Sequence, residues 1–285
     1  MKLAFHGATS MKADLSTDVL ASAHAGFKAL EVWAAKMDDY LAEHSLSELK
    51  ALFVENHVEP ASISSIEFIA FRNNQFKQVK DRCRELCTIA ECIGCQTVVV
   101  VPSPTPQRGG DAVLNLFVPW DEVVREYVNV LSELSAVARP HGVNLAFEFL
   151  GFGWCTVRTP RAAFEIIRKT GRENVGMNFD ACHFYGGGGL LSEIDELDPK
   201  RILAFHLDDM EDVPKEAITD GRRLLPGQGV VPLGDICSRL AKIKYDGLCS
   251  IETFRAEYWE WDPYELAARA REAALRVLSP FFRIT

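Results

Sequence analysis

The stretch VNLAFEFLGFGWCTVRTPRAAFEIIRKTGRENVGMNFD (143–180) reads as one strand–helix–strand unit. Its apolar ends, 143–149 and 174–179, are nearly continuous hydrophobic runs, the pattern of strands covered on both faces. Between them Thr159 stands as a helix cap, Pro160 takes the first helical position and Gly171 closes the periodic segment. Each run also closes on a carboxylate, Glu148 in the first and Asp180 after the second. A carboxylate in an apolar run is costly to bury unless something pairs with it.

The same grammar extends both ways. Strands are expected at 2–6, 28–33, 61–66 and 96–101 before this unit, and at 202–207 and 248–252 after it. Helical patterns lie between them. The segment 45–57 opens with a capping box, Ser45 and Glu48. The segment 75–94 stops at Gly94, and 120–142 starts with Asp121 and Glu122 and ends around Arg139-Pro140 and Gly142. Further helices are expected at 232–247 and 262–282, and loops at GGDAVLN (109–115) and GGGG (186–189). Eight strands alternating with helices over roughly 250 residues predict an α/β fold, a (β/α)8 TIM barrel, as a single domain over 1–285. An open doubly wound sheet is the alternative. FHGATSMKA, after the first strand, lacks its GxGxxG phosphate loop.

Composition narrows the function. At 48% hydrophobic and 25% charged, the 285 residues can bury a large core. No apolar run approaches the roughly 20 residues of a membrane helix, and MKLAFHGATSMKADL does not read as a signal segment, so no membrane partner is expected. The net charge of −9 argues against a nucleic-acid partner. One CxxC, Cys92 and Cys95, and the pair Cys83 and Cys87 fall short of a zinc framework; the plainer reading is buried thiols in a reducing cytoplasm.

Two more polar residues close apolar runs, His206 in RILAFHLDDM and Glu252 in GLCSIETFR. With Glu148 and Asp180 they end strands five to eight, which are neighbours around such a barrel and point into one mouth. Singly, each has a plainer explanation: a buried ion pair for Glu, a core hydrogen bond for His, a helix cap for Asp. Together they suggest a shared partner, one divalent metal ion. Three carboxylates and one imidazole suit Mn²⁺, Zn²⁺, Co²⁺ or Mg²⁺ rather than a thiolate-seeking metal. A cation on an α-hydroxy carbonyl acidifies the carbon-bound proton and stabilises the enediolate. Glu148 and Glu252 are the candidate acid/base pair.

The segments FEF, NVGMNFDACHF, FHLDDMEDVP, RRLLPGQG and SIETFR resemble the sugar isomerase/epimerase branch of the xylose-isomerase-like barrels, end to end. Within that branch they are most similar to the bacterial 2-keto-myo-inositol (inosose) isomerases of inositol catabolism. The resemblance implies Glu148, Asp180, His206 and Glu252 as metal ligands and a polyol or sugar ketone as substrate. It implies His183 as a substrate-hydroxyl contact and Arg223 as a group holding a substrate oxygen. Glu31 is expected to orient His183 or Arg223, with Arg255, Trp154 and Trp33 as pocket walls. His6 closes strand one, where the family often has a small residue or Asn; it reads equally as a hydroxyl contact or a core histidine. Trp154 near the mouth leaves open a substrate other than inosose.

Rival functions share the barrel. An apurinic-site endonuclease would need further histidines, but strand ends three and four read ISSIEF and VVPSPT. An inosose dehydratase begins with the same proton abstraction. Ketohexose 3-epimerases and hydroxypyruvate isomerases stay within the leading class. A non-catalytic sugar-binding module would not need the carboxylate pair. No basic cluster marks a phosphate site, which favours a non-phosphorylated ketone. The stretch FRAEYWEWDPYELAARA fits either a lid or a contact between identical subunits.

Overall fold

The run Val175–Asp180 is buried at all six positions and Thr97–Val100 at all four. Such segments have no face to give to water, so both sides must be covered, one by the barrel interior and one by helices. The computed structural model describes residues 1–106 and 118–285. The loop expected at 109–115 lies outside the described residues.

In chain order the strands are β1 (Lys2–His6), β2 (Ala29–Trp33), β3 (Glu59–Ile66), β4 (Thr97–Val100), β5 (Asn144–Glu148), β6 (Val175–Asp180), β7 (Ile202–His206), β8 (Asp209–Met210), β9 (Arg223–Leu224) and β10 (Leu248–Ile251). The helices are α1 (Leu15–Ala25), α2 (Ala34–Glu43), α3 (Leu46–Glu55), α4 (Phe76–Ile93), α5 (Trp120–Ala138), α6 (Pro160–Thr170), α7 (Ala181–Gly187), α8 (Leu191–Ile194), α9 (Leu233–Lys242) and α10 (Pro263–Leu278). Eight parallel strands close into a barrel in the order β1-β10-β7-β6-β5-β4-β3-β2, with β8 and β9 as a separate antiparallel pair. The expected TIM barrel is the observed fold. Among the described residues no helix is long and apolar enough to cross a membrane.

The caps form where the sequence places them. Ser45 and Glu48 make a reciprocal capping box on α3. Thr159 accepts from Ala162 N at the start of α6, and Gly171 ends it at φ 61°. Three helices are shorter than expected; the last, expected over 262–282, ends at Leu278. The 120–142 segment is α-helical only to Ala138, then tightens into a 3-10 turn over Arg139–His141, because Pro140 has no N–H to donate. The 232–247 helix stops at Lys242, where Lys244 turns to φ 64°.

GGGG is not wholly a loop. Gly186 and Gly187 complete α7, and Gly188 caps it at φ 74°. The reason is close approach: a Cβ on Gly187 would sit 2.0 Å from Arg158 O, and one on Gly151 2.4 Å from His183 O. The β5–α6 loop thereby lies directly on α7, the helix that begins at the carboxylate end of β6. Gly187→Ala should force this contact apart and lower stability by roughly 1–3 kcal/mol, read as a lower urea midpoint at unchanged m-value. An unchanged midpoint would contradict the close packing.

Candidate metal centre and active-site cavity

Glu148 ends β5, Asp180 ends β6, His206 ends β7, and Glu252 follows the last residue of β10. Strand register levels them: His206 pairs with Asp180 on one side and with Ser250 on the other. All four are buried, and one donor atom from each lies within 4.8 Å of the others. His206 Nδ1 is 3.1 Å from Glu252 Oε2, 3.5 Å from Glu148 Oε1 and 3.8 Å from Asp180 Oδ2. Glu148 Oε1 is buried without a hydrogen-bond partner. An anionic oxygen left so is expensive, and a hard divalent cation among these oxygen and nitrogen donors relieves it. The donor set therefore fits one such ion.

The electrostatics are uneven. Burial pushes the Glu148 carboxyl up to about 7, against the pull of His206. Burial acts on Glu252 in the same sense, but His206, His6 and Arg223 outweigh it and hold that carboxyl well below its usual range. For His206 burial favours the neutral ring, yet Glu252, Glu31 and Glu148 overcome it and raise its pKa.

Asp180 does two jobs with its two oxygens. Oδ1 accepts from His183 N at 2.6 Å as the cap of α7, and Oδ2 faces the centre. One oxygen thus serves as the helix cap, and the other is free of that duty and placed among the candidate donors. His183, one turn along, lies 3.9 Å from Glu148 Oε1 with its ring against Phe152.

Arg223 arrives from β9 fully engaged. Its Nη1 donates to Asp180 Oδ2 at 2.8 Å, Asp208 Oδ2 at 2.6 Å and Glu252 Oε2 at 2.8 Å. Its Nη2 lies 2.9 Å from His183 Nε2 and 2.7 Å from Asp220 Oδ1. The motif residues build this support. Asp209 accepts from Gly229 N and Val231 N, stitching the HLDDM segment to the PGQG loop that follows Arg223.

Above the donors opens a cavity of about 240 Å³. Glu148, Glu252, His183 and Arg223 face it, with Trp33, Phe68, Phe152, Trp154 and Phe254 as aromatic walls. Trp154 stacks on Phe152 at 5.2 Å and is 44% exposed, which puts it at the rim. Three expected contacts lie elsewhere. Arg255 is drawn away by Glu211 at 2.5 Å and Glu257 at 3.1 Å and does not line the cavity. His6 and Glu31 are fully buried beneath the donors and have no cavity surface. Glu31 reaches His206 Nε2 at 3.1 Å rather than His183 or Arg223.

Sequence reasoning passed over Asp208, Asp220, Glu67 and Phe254. Asp208, two residues beyond His206, was visible in HLDDM as an acid pair, and Asp220 lies three residues before Arg223. For Glu67 and Phe254 no local signal exists; only barrel closure brings them together.

Residues 19–278 match the family described as xylose isomerase-like TIM barrel. The chain belongs to this family. Inosose isomerase of Halalkalibacterium halodurans is 32% identical, the alignment covering 100% of this chain and 99% of that one. Inosose isomerase of Bacillus subtilis is 32% identical, with 99% of each covered. A crystal structure of the IolI protein with a bound zinc atom superposes with a TM-score of 0.93 at 32% identity, covering 99% of each chain. With such full-length relatives, this xylose isomerase-like barrel is an isomerase of the sugar and polyol class.

Asp180→Asn keeps an acceptor for the cap of α7 but removes a charge from the donor set. It should retain the fold by circular dichroism and lose divalent metal on elemental analysis after dialysis; full occupancy would overturn the donor assignment.

Proposed function

We propose that this protein is a divalent-metal-dependent isomerase or epimerase of a non-phosphorylated keto-polyol, with 2-keto-myo-inositol as the leading substrate. The observation that carries it is the convergence of Glu148, Asp180, His206 and Glu252 at the floor of a cavity that Glu148 and Glu252 also face. The full-length likeness to inosose isomerases supports the substrate, and the zinc atom of the IolI protein supports a metal of the Zn²⁺, Mn²⁺, Co²⁺ or Mg²⁺ type.

A cation held by these donors supplies Lewis acidity to a neighbouring hydroxyl–carbonyl pair. The chain's residues do the rest. Glu148 and Glu252 reach the cavity from strands on different sides of His206, so one can take the carbon-bound proton and the other return it. Return to the same carbon from the opposite face is epimerisation; return to the former carbonyl carbon is isomerisation. His183 and Arg223 line the same wall and are the polar side chains placed to meet substrate oxygens. The aromatic walls limit water, which would otherwise quench the enediolate.

Arg223 is the only Lys or Arg among the described lining residues, and four carboxylates surround it. That leaves no free cation for a phosphate group and supports a neutral polyol. The eight cysteines are free, as a reducing cytoplasm allows. An inosose dehydratase shares the first step and differs in expelling a β-hydroxyl as water.

The test is an NMR panel of inososes and ketohexoses in D₂O with Mn²⁺. Exchange at the carbon next to the carbonyl, with an isomeric product, is expected; a dehydrated diketone would make the enzyme a lyase. Glu252→Gln should keep the fold and lower that exchange by at least ~100-fold, as removal of a positioned acid/base does. Undiminished exchange would remove Glu252 from the proton transfer.

A further inference from the structure

Below the four donors lies a second buried group, His6, Glu31 and His206, again with one donor atom each within 4.8 Å. The β1–β2 register sets His6 opposite Glu31. His206 belongs to both groups and divides its nitrogens between them. Nδ1 faces the upper carboxylates, and Nε2 lies 3.1 Å from Glu31 Oε2. Nε2 is thus turned to Glu31 and Nδ1 to the upper carboxylates, so with an ion held there Nδ1 would be the ligating nitrogen and Nε2 the one that donates to Glu31.

His6 is oriented just as firmly. Ala8 N donates to its Nδ1 at 2.9 Å, so the proton of the neutral ring sits on Nε2. That nitrogen is 3.0 Å from Glu252 Oε1, an electrostatic contact without hydrogen-bond geometry, and among the described residues it has no hydrogen-bond partner. The turn carrying Ala8 is itself fixed: Lys36 Nζ grips Gly7 O and Ser10 O, each at 2.8 Å, from a buried position. A protonated Nε2 cannot be a metal ligand, so the lower group does not form a second centre through His6.

We propose that Glu31 and His6 are positioning residues that act through the metal donors: Glu31 fixes the ring plane of His206 from its Nε2 side, and His6 sits against Oε1 of Glu252 while Oε2 faces Arg223 and His206. This rests on the metal reading above. Carboxylates behind ligating histidines are a recurrent device for tuning metal sites. Glu31 was expected to orient His183 or Arg223, and His6 to be either a hydroxyl contact or a core histidine; both are fully buried and absent from the cavity lining, which supports a role behind the donors.

The experiment is titration of the metal-free protein with Zn²⁺ and Mn²⁺ against a competing chelator, for wild type, Glu31→Gln, His6→Phe and His6→Gln, together with visible spectra of the Co²⁺ forms. Wild type should bind one ion per chain. Glu31→Gln and His6→Phe should bind roughly 10–100-fold more weakly, with altered Co²⁺ spectra. His6→Gln, whose amide can donate from the place of the imidazole Nε2, should recover most of the affinity. Unchanged affinity and spectrum in Glu31→Gln, which is isosteric and the safer fold, would overturn the proposal. So would two ions per wild-type chain falling to one, which would make the lower group a metal site. If wild type and Asp180→Asn both bind no ion, the metal reading itself fails, a result distinct from an unchanged Glu31→Gln.

Discussion

Among the described residues, five carboxylates are buried together at one end of this barrel: Glu31, Glu148, Asp180, Asp208 and Glu252. Against them stand one guanidinium, Arg223, and three imidazoles, His6, His183 and His206. The rest of the structure depends on keeping that excess of negative charge together. Bringing an ionised carboxylate out of water costs several kcal/mol even after relaxation, and like charges at these separations add to it. The cost is tolerable only because a closed barrel with a continuous apolar core supplies the stability, and because each carboxylate has a designated partner. Glu31 and Glu148 each keep one buried oxygen without a hydrogen-bond partner, and of the two it is Glu148 whose pKa burial raises.

The partners come from different parts of the fold, which explains features that otherwise look incidental. The small β8–β9 hairpin is far too short to matter as a sheet. Its role is to bring Arg223 over the mouth, with Asp209 clamping the PGQG backbone so that the guanidinium reaches Asp180, Asp208 and Glu252 at once. Gly229 is required there, because a Cβ would lie 2.1 Å from Met210 O. The glycines of α7 play the corresponding part for Asp180 and His183, letting the β5–α6 loop lie on their helix.

The barrel was legible because its signals are local and repeated. Continuous apolar runs, a capping box at Ser45 and closing glycines at Gly94 and Gly171 each report their own element. The four donors were legible because their burial conflicts with their polarity in the sequence itself. Their outer partners were not. His6 and Glu31 look like further members of the same set, since a strand pattern says that a side chain points inward but not at what height. That height is set by the stagger of β1 and β2 against β7 and β10. Arg255 misled for the opposite reason: it follows Glu252 closely in sequence, but Glu211 and Glu257, on neighbouring segments, compete for its guanidinium.

The two carboxylates proposed for proton transfer differ in a way that spacing cannot express. Glu252 is held at both oxygens: Oε1 lies beside His6, and Oε2 accepts from Arg223 and faces His206. Glu148 has an oxygen with no donor at all. A carboxylate fixed at both ends is rigid and stays ionised, while one with a free buried oxygen gains from meeting either a cation or a proton. The pair is therefore chemically inequivalent before any substrate arrives. Such a pair suits transfer in which one member takes a proton while the other delivers one, because environments that push two carboxyl pKa values apart set acid and base roles in advance.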